Sequence, residues 1–358
     1  METNRIRRVI DAMGRMGIRQ TLISAPASLF YLTGKWIYPG ERMVALYLND
    51  QGDIRLYANR LFALNGTVDI PLVEYDDTED CVQILAADLA AGKIGIDKDW
   101  PSRFTIRLLD AREDLKPVIS SPCIDQTRLY KDEKELELMR VSSLKNDETI
   151  LKTIAQLKLG LTEGQVGDIY LKESAALGSS GPSFEPLICF GPNCAEPHHV
   201  TDQTVLKAGD SVILDVGLTW QSYCSDMTRT VFMGKATDEQ KRVYDLVRAA
   251  NAAGRAAVRP GVPMKDIDHA ARKVIEDAGY GKYFIHRTGH GIGLEVHEFP
   301  DVSASSEAIA KPGMCFSVEP GIYLPGKFGV RVEDLVAVTE DGCETLNKAP
   351  RDLVEIPV

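Results

Sequence analysis

The sequence lacks any run of about 18 apolar residues, so no transmembrane helix is expected. Its start, METNRIRRVI, has no apolar stretch followed by a small-residue cleavage site, and no secretory signal is expected. No CxxC pair occurs among the seven scattered cysteines (Cys81, Cys123, Cys189, Cys194, Cys224, Cys315 and Cys343). The odd number and the scatter read as reduced thiols of a cytoplasmic protein, not as a disulfide framework. Positive charge is in deficit: 41 Lys and Arg against 52 Asp and Glu give a net charge of −11. Such a chain has no general attraction for nucleic acid or an anionic membrane, and neither is expected as a partner. Internal repeats and low-complexity tracts are missing, as are GxSxG, Walker and HExxH sequences. Gly289–Gly293 is rich in glycine but lacks both the GxGxxG spacing and a ribose-binding acid, so it is not a dinucleotide loop.

What is present is a globular composition, 44% hydrophobic and 26% charged, over 358 residues, enough for two domains. Residues 3–17 read as an amphipathic helix and 21–25 as a strand. MVALYLND (43–50) and DIRLYANR (53–60) form a hairpin turning at Gln51–Gly52. TEDCVQILAADLAAG is a helix stopping at Gly92, KIGID a strand, FTIRLLDARED a short helix and LKPVIS a strand. This alternation makes the first part an α/β domain with its own sheet. The chain then turns polar in SPCIDQTRLYKDEKE, and the domain boundary is placed there, between residues 125 and 126. A long helix follows at about 131–158, and a second, opened by Thr162 and Gln165 at capping-box spacing, runs to Ala176. SFEPLICFG, SVILDVG, SYCSDMTRTVFMG, MCFSVEPGIY and GVRVEDLVAV read as strands. Between them lie helices from Thr237–Gln240 to Val258 and over MKDIDHAARKVIEDAG. The second part is therefore α+β, an antiparallel sheet with helices on one face.

Four acidic residues interrupt those apolar strands. Asp215 sits among Val212, Ile213, Leu214 and Val216, and Asp226 follows eleven residues later; a hairpin brings both to one end of a sheet. Taken alone, this pattern is met at least as well by each aspartate pairing with a nearby arginine such as Arg229. Glu319 ends a third strand and Glu333 lies within a fourth; a turn at Pro325–Gly329 makes these a second hairpin. Four clustered carboxylates repel unless cations separate them. The six histidines are His198, His199, His269, His286, His290 and His297, five of them in the segments NCAEPHHV and HRTGHGIGLEVHE. His269 belongs to an ordinary amphipathic helix, whereas segments dense in His and Gly have little packing purpose. Oxygen-rich ligation with some nitrogen suits Mn, Co, Fe or Zn. Cys224 and Cys315 read as small core residues, since thiolates favour softer ions.

The stretches ILDVGLTWQSYCSDMTRT, HRTGHGIGLEVHE, SVEPGIY and GVRVED resemble the signature segments of the pita-bread metallopeptidases (M24 type). They most resemble the Xaa-Pro-cleaving branch, prolidase and aminopeptidase P. The resemblance spans essentially the whole chain, in detail over 183–340 and more loosely in the N-terminal part, where FYLTG and GERMVALYL fit the family's first domain. It implies a smaller creatinase-like α/β domain over residues 1–125 and a catalytic pita-bread domain over 126–358. It implies two divalent metal ions held by Asp215, Asp226, His290, Glu319 and Glu333, with Asp226 and Glu333 bridging. It also implies His198 and His297 as histidines that support the transition state and Glu319 as the proton shuttle. His286, Tyr323 and Arg331 then line the substrate site; His199 has no assigned role. The expected substrate is a dipeptide or short peptide with proline second, and the expected assembly is a homodimer. The same fold also hosts aminopeptidase P acting on longer peptides, metal-free amidinohydrolases of the creatinase type and non-catalytic peptide- or protein-binding modules. The last two tend to lose the acidic set, and here all five ligand positions are filled.

Overall fold

A computed structural model describes residues 3–358, which form two compact units, one ending at Arg128 and one beginning at Leu129. The first unit is built on a six-stranded sheet in the order Leu72–Tyr75, Ile54–Asn59, Ala45–Asn49, Gln20–Ile23, Gly92–Ile96, Leu115–Ile119. The expected hairpin is present, with Leu48 opposite Ile54. Leu22, Tyr57, Leu85, Trp100, Phe104 and Leu108 fill the core on one side of the sheet. The helix expected to reach Gly92 ends instead at Ala87. The cause is competition for its carbonyls: the Arg112 guanidinium donates to Ala86 O and Leu89 O at 2.6 and 2.9 Å, and Gln20 Nε2 donates to Ala90 O at 2.6 Å. The stretch in which the sequence places the domain junction forms a helix, Ser121–Arg128, and the first unit ends with it.

In the second unit both capping boxes are made. Thr162 opens Glu163–Ala176 and Thr237 opens Asp238–Ala257. One sheet runs Glu355–Ile356, Met227–Met233, Ser211–Val216, Leu187–Phe190; a second runs Glu298–Val302, Gly289–Gly291, Cys315–Val318, Asp334–Val338, Cys343–Thr345. A separate two-stranded ribbon pairs Gly321–Leu324 with Phe328–Arg331. Three strands expected to be continuous are thus each divided. Tyr223–Cys224 is separated from Met227–Met233, Cys315–Val318 from Gly321–Leu324, and Phe328–Arg331 from Asp334–Val338. The breaks fall at Asp226, Glu319 and Glu333. There the backbone bonds to other neighbours: Glu319 N–H donates to Thr288 O at 2.8 Å and Glu333 N–H to Thr228 O at 3.1 Å. Each strand changes partner where its carboxylate emerges.

Candidate functional site

The strand breaks and two histidine segments converge on one cavity of about 510 Å³ within the second unit. Asp215, Asp226, His290, Glu319, Glu333 and Arg331 line it, together with His198, His286 and His297. Asp215 is carried by the strand Ser211–Val216, which pairs with Met227–Met233 so that Asp215 faces Thr228. The break at Asp226 therefore lies beside it, at one end of the sheet. Glu319 and Glu333 come from the two interruptions of the other hairpin, between the pairs Val318–Asp334 and Gly321–Arg331. His290 reaches them because Gly289 permits close backbone approach. A Cβ there would overlap the Ser317 carbonyl. His290 N–H also donates to Ser317 Oγ at 3.1 Å, and Ser317 Oγ–H donates to Glu319 Oε1 at 3.2 Å.

The resulting cluster is tight. One ligand-capable atom each from Asp226, His290 and Glu333 lies within 4.8 Å of the others. His290 Nε2 is 3.6 Å from Asp226 Oδ2 and 3.4 Å from Glu319 Oε1. His290 Nδ1 lies 3.1 Å from the Gly291 carbonyl, which only accepts, so Nδ1 carries the proton and Nε2 presents a lone pair. Burial lowers the His290 pKa to about 3, with the His297 charge next in effect, so the ring is neutral at pH 7. Burial drives the Asp226 and Glu333 carboxyls well above the usual carboxylate range, and neighbouring carboxylates push the same way. Glu319 is raised to about 7, again by burial first, against the pull of Arg331.

Among the described residues, Arg331 is the one buried cation lining this cavity. It ion-pairs with Asp215, donates to Thr228 Oγ1 at 3.1 Å and donates to Tyr323 OH at 3.0 Å. Asp215 thus has an arginine partner, but not the one nearest in sequence: Arg229 pairs with Asp334 at 2.8 Å. Thr228, which sequence reasoning missed, donates to Glu333 Oε2 at 2.7 Å; a buried threonine in an apolar strand carries no signal of its own. Tyr323 does not line the cavity. It is buried behind the wall, where its hydroxyl bonds His286 Nε2 at 2.8 Å as well as Arg331, so it reaches the cavity only through them. His286 Nδ1–H donates to Arg287 O at 2.7 Å, which leaves Nε2 to accept from the tyrosine. Burial lowers the His286 pKa to about 3 and also depresses that of His297.

The donor set fits divalent cations on its own chemistry. Asp215 Oδ1, Asp226 Oδ1 and Glu333 Oε1 are buried without a hydrogen-bond partner. Buried polar atoms are otherwise almost always paired. A neutral imidazole lone pair directed at two carboxylates adds a nitrogen donor. A second group, Glu163, His199 and Asp202, also gathers three possible ligands. There Glu163 already accepts four hydrogen bonds, which leaves it no ligating capacity.

Comparison with known proteins agrees with this architecture. The model of metallopeptidase family M24 matches residues 137–340, and that of the creatinase/prolidase N-terminal domain matches residues 5–130. An uncharacterized peptidase of Staphylococcus saprophyticus is 37% identical over 335 residues, covering 90% of this chain and 93% of that one. A prolidase structure from Thermococcus sibiricus superposes with a TM-score of 0.95 at 34% identity, covering 99% of each chain. A dipeptidase from Mycobacterium ulcerans gives 0.93 at 34%, covering 99% of this chain and 98% of that one. An X-Pro aminopeptidase from Thermotoga maritima gives 0.84 at 30%, covering 97% of this chain and all of that one. With a creatinase-type N-terminal domain ahead of a pita-bread peptidase domain, the chain belongs to metallopeptidase family M24.

Proposed function

We propose that this metallopeptidase hydrolyses the Xaa-Pro bond of dipeptides and short peptides with two divalent ions at Asp215, Asp226, His290, Glu319 and Glu333. The observation that carries the reading is the set of three buried carboxylate oxygens without partners around one neutral histidine. The single buried guanidinium of Arg331 does not balance that charge. Divalent ions there supply Lewis acidity, which lowers the pKa of water and polarises a carbonyl. Mn, Co, Fe and Zn all suit the donors.

The chain's own groups do the rest. Glu319, which reaches the cavity beside His290, takes a proton from the attacking water and delivers it to the departing proline nitrogen. His297 and His198, at the open side of the cavity, donate hydrogen bonds to the substrate carbonyl as negative charge develops. Arg331 holds Asp215, and Tyr323 relays that order to His286. A proline nitrogen carries no amide hydrogen, so the cavity needs no acceptor for one. The similarity to prolidase and dipeptidase structures supports a preference for dipeptides.

The test is steady-state cleavage of an Xaa-Pro dipeptide, an Xaa-Pro-Yaa tripeptide and a proline-free dipeptide, after chelation and after addition of Mn or Co. Cleavage of the Xaa-Pro dipeptide that vanishes on chelation and returns with metal is expected. Preference for the tripeptide would move the reading to aminopeptidase P; cleavage indifferent to proline or to chelation would overturn it.

A further inference from the structure

We propose that Glu163 is a positioning residue: with His199 it fixes the segment 190–202 so that His198 stands at the cavity. The proposal rests on the substrate-side role given to His198 above. Pro197 and His198 line the cavity, yet among the described residues no hydrogen bond or ion pair engages the His198 ring. The side chain is exposed. Its place is therefore set by the segment that carries it.

That segment is tied to one carboxylate. Glu163, the first residue of the helix Glu163–Ala176, is completely buried. Its Oε1 accepts from Phe190 N–H at 2.8 Å and from Asn193 Nδ2–H at 2.9 Å. Its Oε2 accepts from His199 Nε2–H at 2.8 Å and from Asp202 N–H at 3.0 Å. The donors thus come from both ends of the segment and from the residue beside His198. The anchor is itself fixed. The capping box of Thr162 and Gln165 seats the helix, and Gly164 N–H donates to Asp202 O at 3.0 Å. A carboxylate suits this place because each of its oxygens accepts from two N–H donors. An amide at this position must turn its own N–H groups toward two of them. A negative charge in the first helical turn is also favoured by the helix dipole.

The experiment compares Glu163→Gln, His199→Phe and His199→Gln in the wild-type and His198→Ala backgrounds, with metal content and thermal unfolding measured for each. Glu163→Gln is expected to lower kcat about 10- to 100-fold, since small misplacements of a reacting group cost that much. KM and metal content change little. In the His198→Ala background the same substitution removes at most about twofold more, because the group it positions is already gone. His199→Gln keeps an N–H donor and retains more rate than His199→Phe. Full additive loss in the His198→Ala background would overturn the proposal, as would normal turnover of Glu163→Gln beside an impaired His198→Ala enzyme. Normal turnover of His198→Ala would remove the role of His198 itself, and the proposal with it. If Glu163→Gln does not fold, the two His199 variants carry the same comparison.

Discussion

A neutral imidazole whose lone pair faces two carboxylates is held in an arrangement that favours a cation between them. Losing one of those charges is therefore expected to weaken the hold on metal. Asp226→Asn keeps the shape and removes charge from a fully enclosed position. Metal content, measured by elemental analysis after dialysis, is expected to fall together with turnover; full occupancy and full activity would exclude Asp226 as a ligand. His297 poses a different question, because it stands at the open side and touches His290 edge-on, with ring centroids 4.3 Å apart. Its loop is folded around Glu298, which pairs with the buried Lys131 at 3.1 Å and accepts from Leu294 N–H at 2.9 Å. His297→Ala is expected to keep its metal and lose about 2.7–4 kcal/mol of transition-state stabilisation, seen as a drop in kcat. An unchanged kcat would refute its role. At this scale the sequence was informative about identity and blind to pairing. Asp215, Asp226, Glu319 and Glu333 stood out as acids in apolar strands, whereas the Arg331–Asp215 pair and the Thr228 bond depend on tertiary placement.

Among the elements, regular periodicity and capping were the legible signals. The two capping boxes and the hairpin over residues 45–59 follow from local chemistry alone. The helix Pro26–Thr33 left no such signal, because six of its eight residues are buried and no polar face marks its period. The strand breaks were equally hidden: an apolar run reads the same whether it stays in one sheet or crosses between two. Those breaks give glycine its importance, since Gly289 lets one strand press against the Ser317 carbonyl beside the break at Glu319. Gly289→Ala is expected to destabilise the protein by about 1–3 kcal/mol by overpacking and to lower metal content by shifting His290. Chemical denaturation with metal analysis checks both; wild-type values in both would contradict the close-approach argument.

For the molecule as a whole, the carboxyl cluster links stability to pH. Asp226 and Glu333 titrate well above, and Glu319 at about 7, relative to ordinary unfolded carboxyls near pH 4. Their folded pKa values are raised, so the unfolded chain releases these protons first. The folded state is then most favoured below the unfolded pKa and loses that advantage as pH rises through the folded values. Below about pH 6.5 the buried neutral His286 and His290, with pKa values of about 3, pull the other way. It is therefore above about pH 6.5 that the metal-free protein should unfold at progressively lower temperature, while the metal-loaded protein should resist the decline. Parallel melting curves with chelator and with Mn provide the check; a metal-free Tm that climbs across this window would contradict the electrostatic account.

The Arg331–Asp215 contact carries one more consequence. A tethered guanidinium keeps one carboxylate aimed at the cavity before any ion arrives, so part of the ordering cost of metal capture is already met by the fold. The same tether competes with the incoming ion for Asp215. An ion on Oδ1 must share the carboxylate's charge with a cation on Oδ2 that cannot diffuse away, and the protein thereby sets a ceiling on how tightly Asp215 can grip its metal.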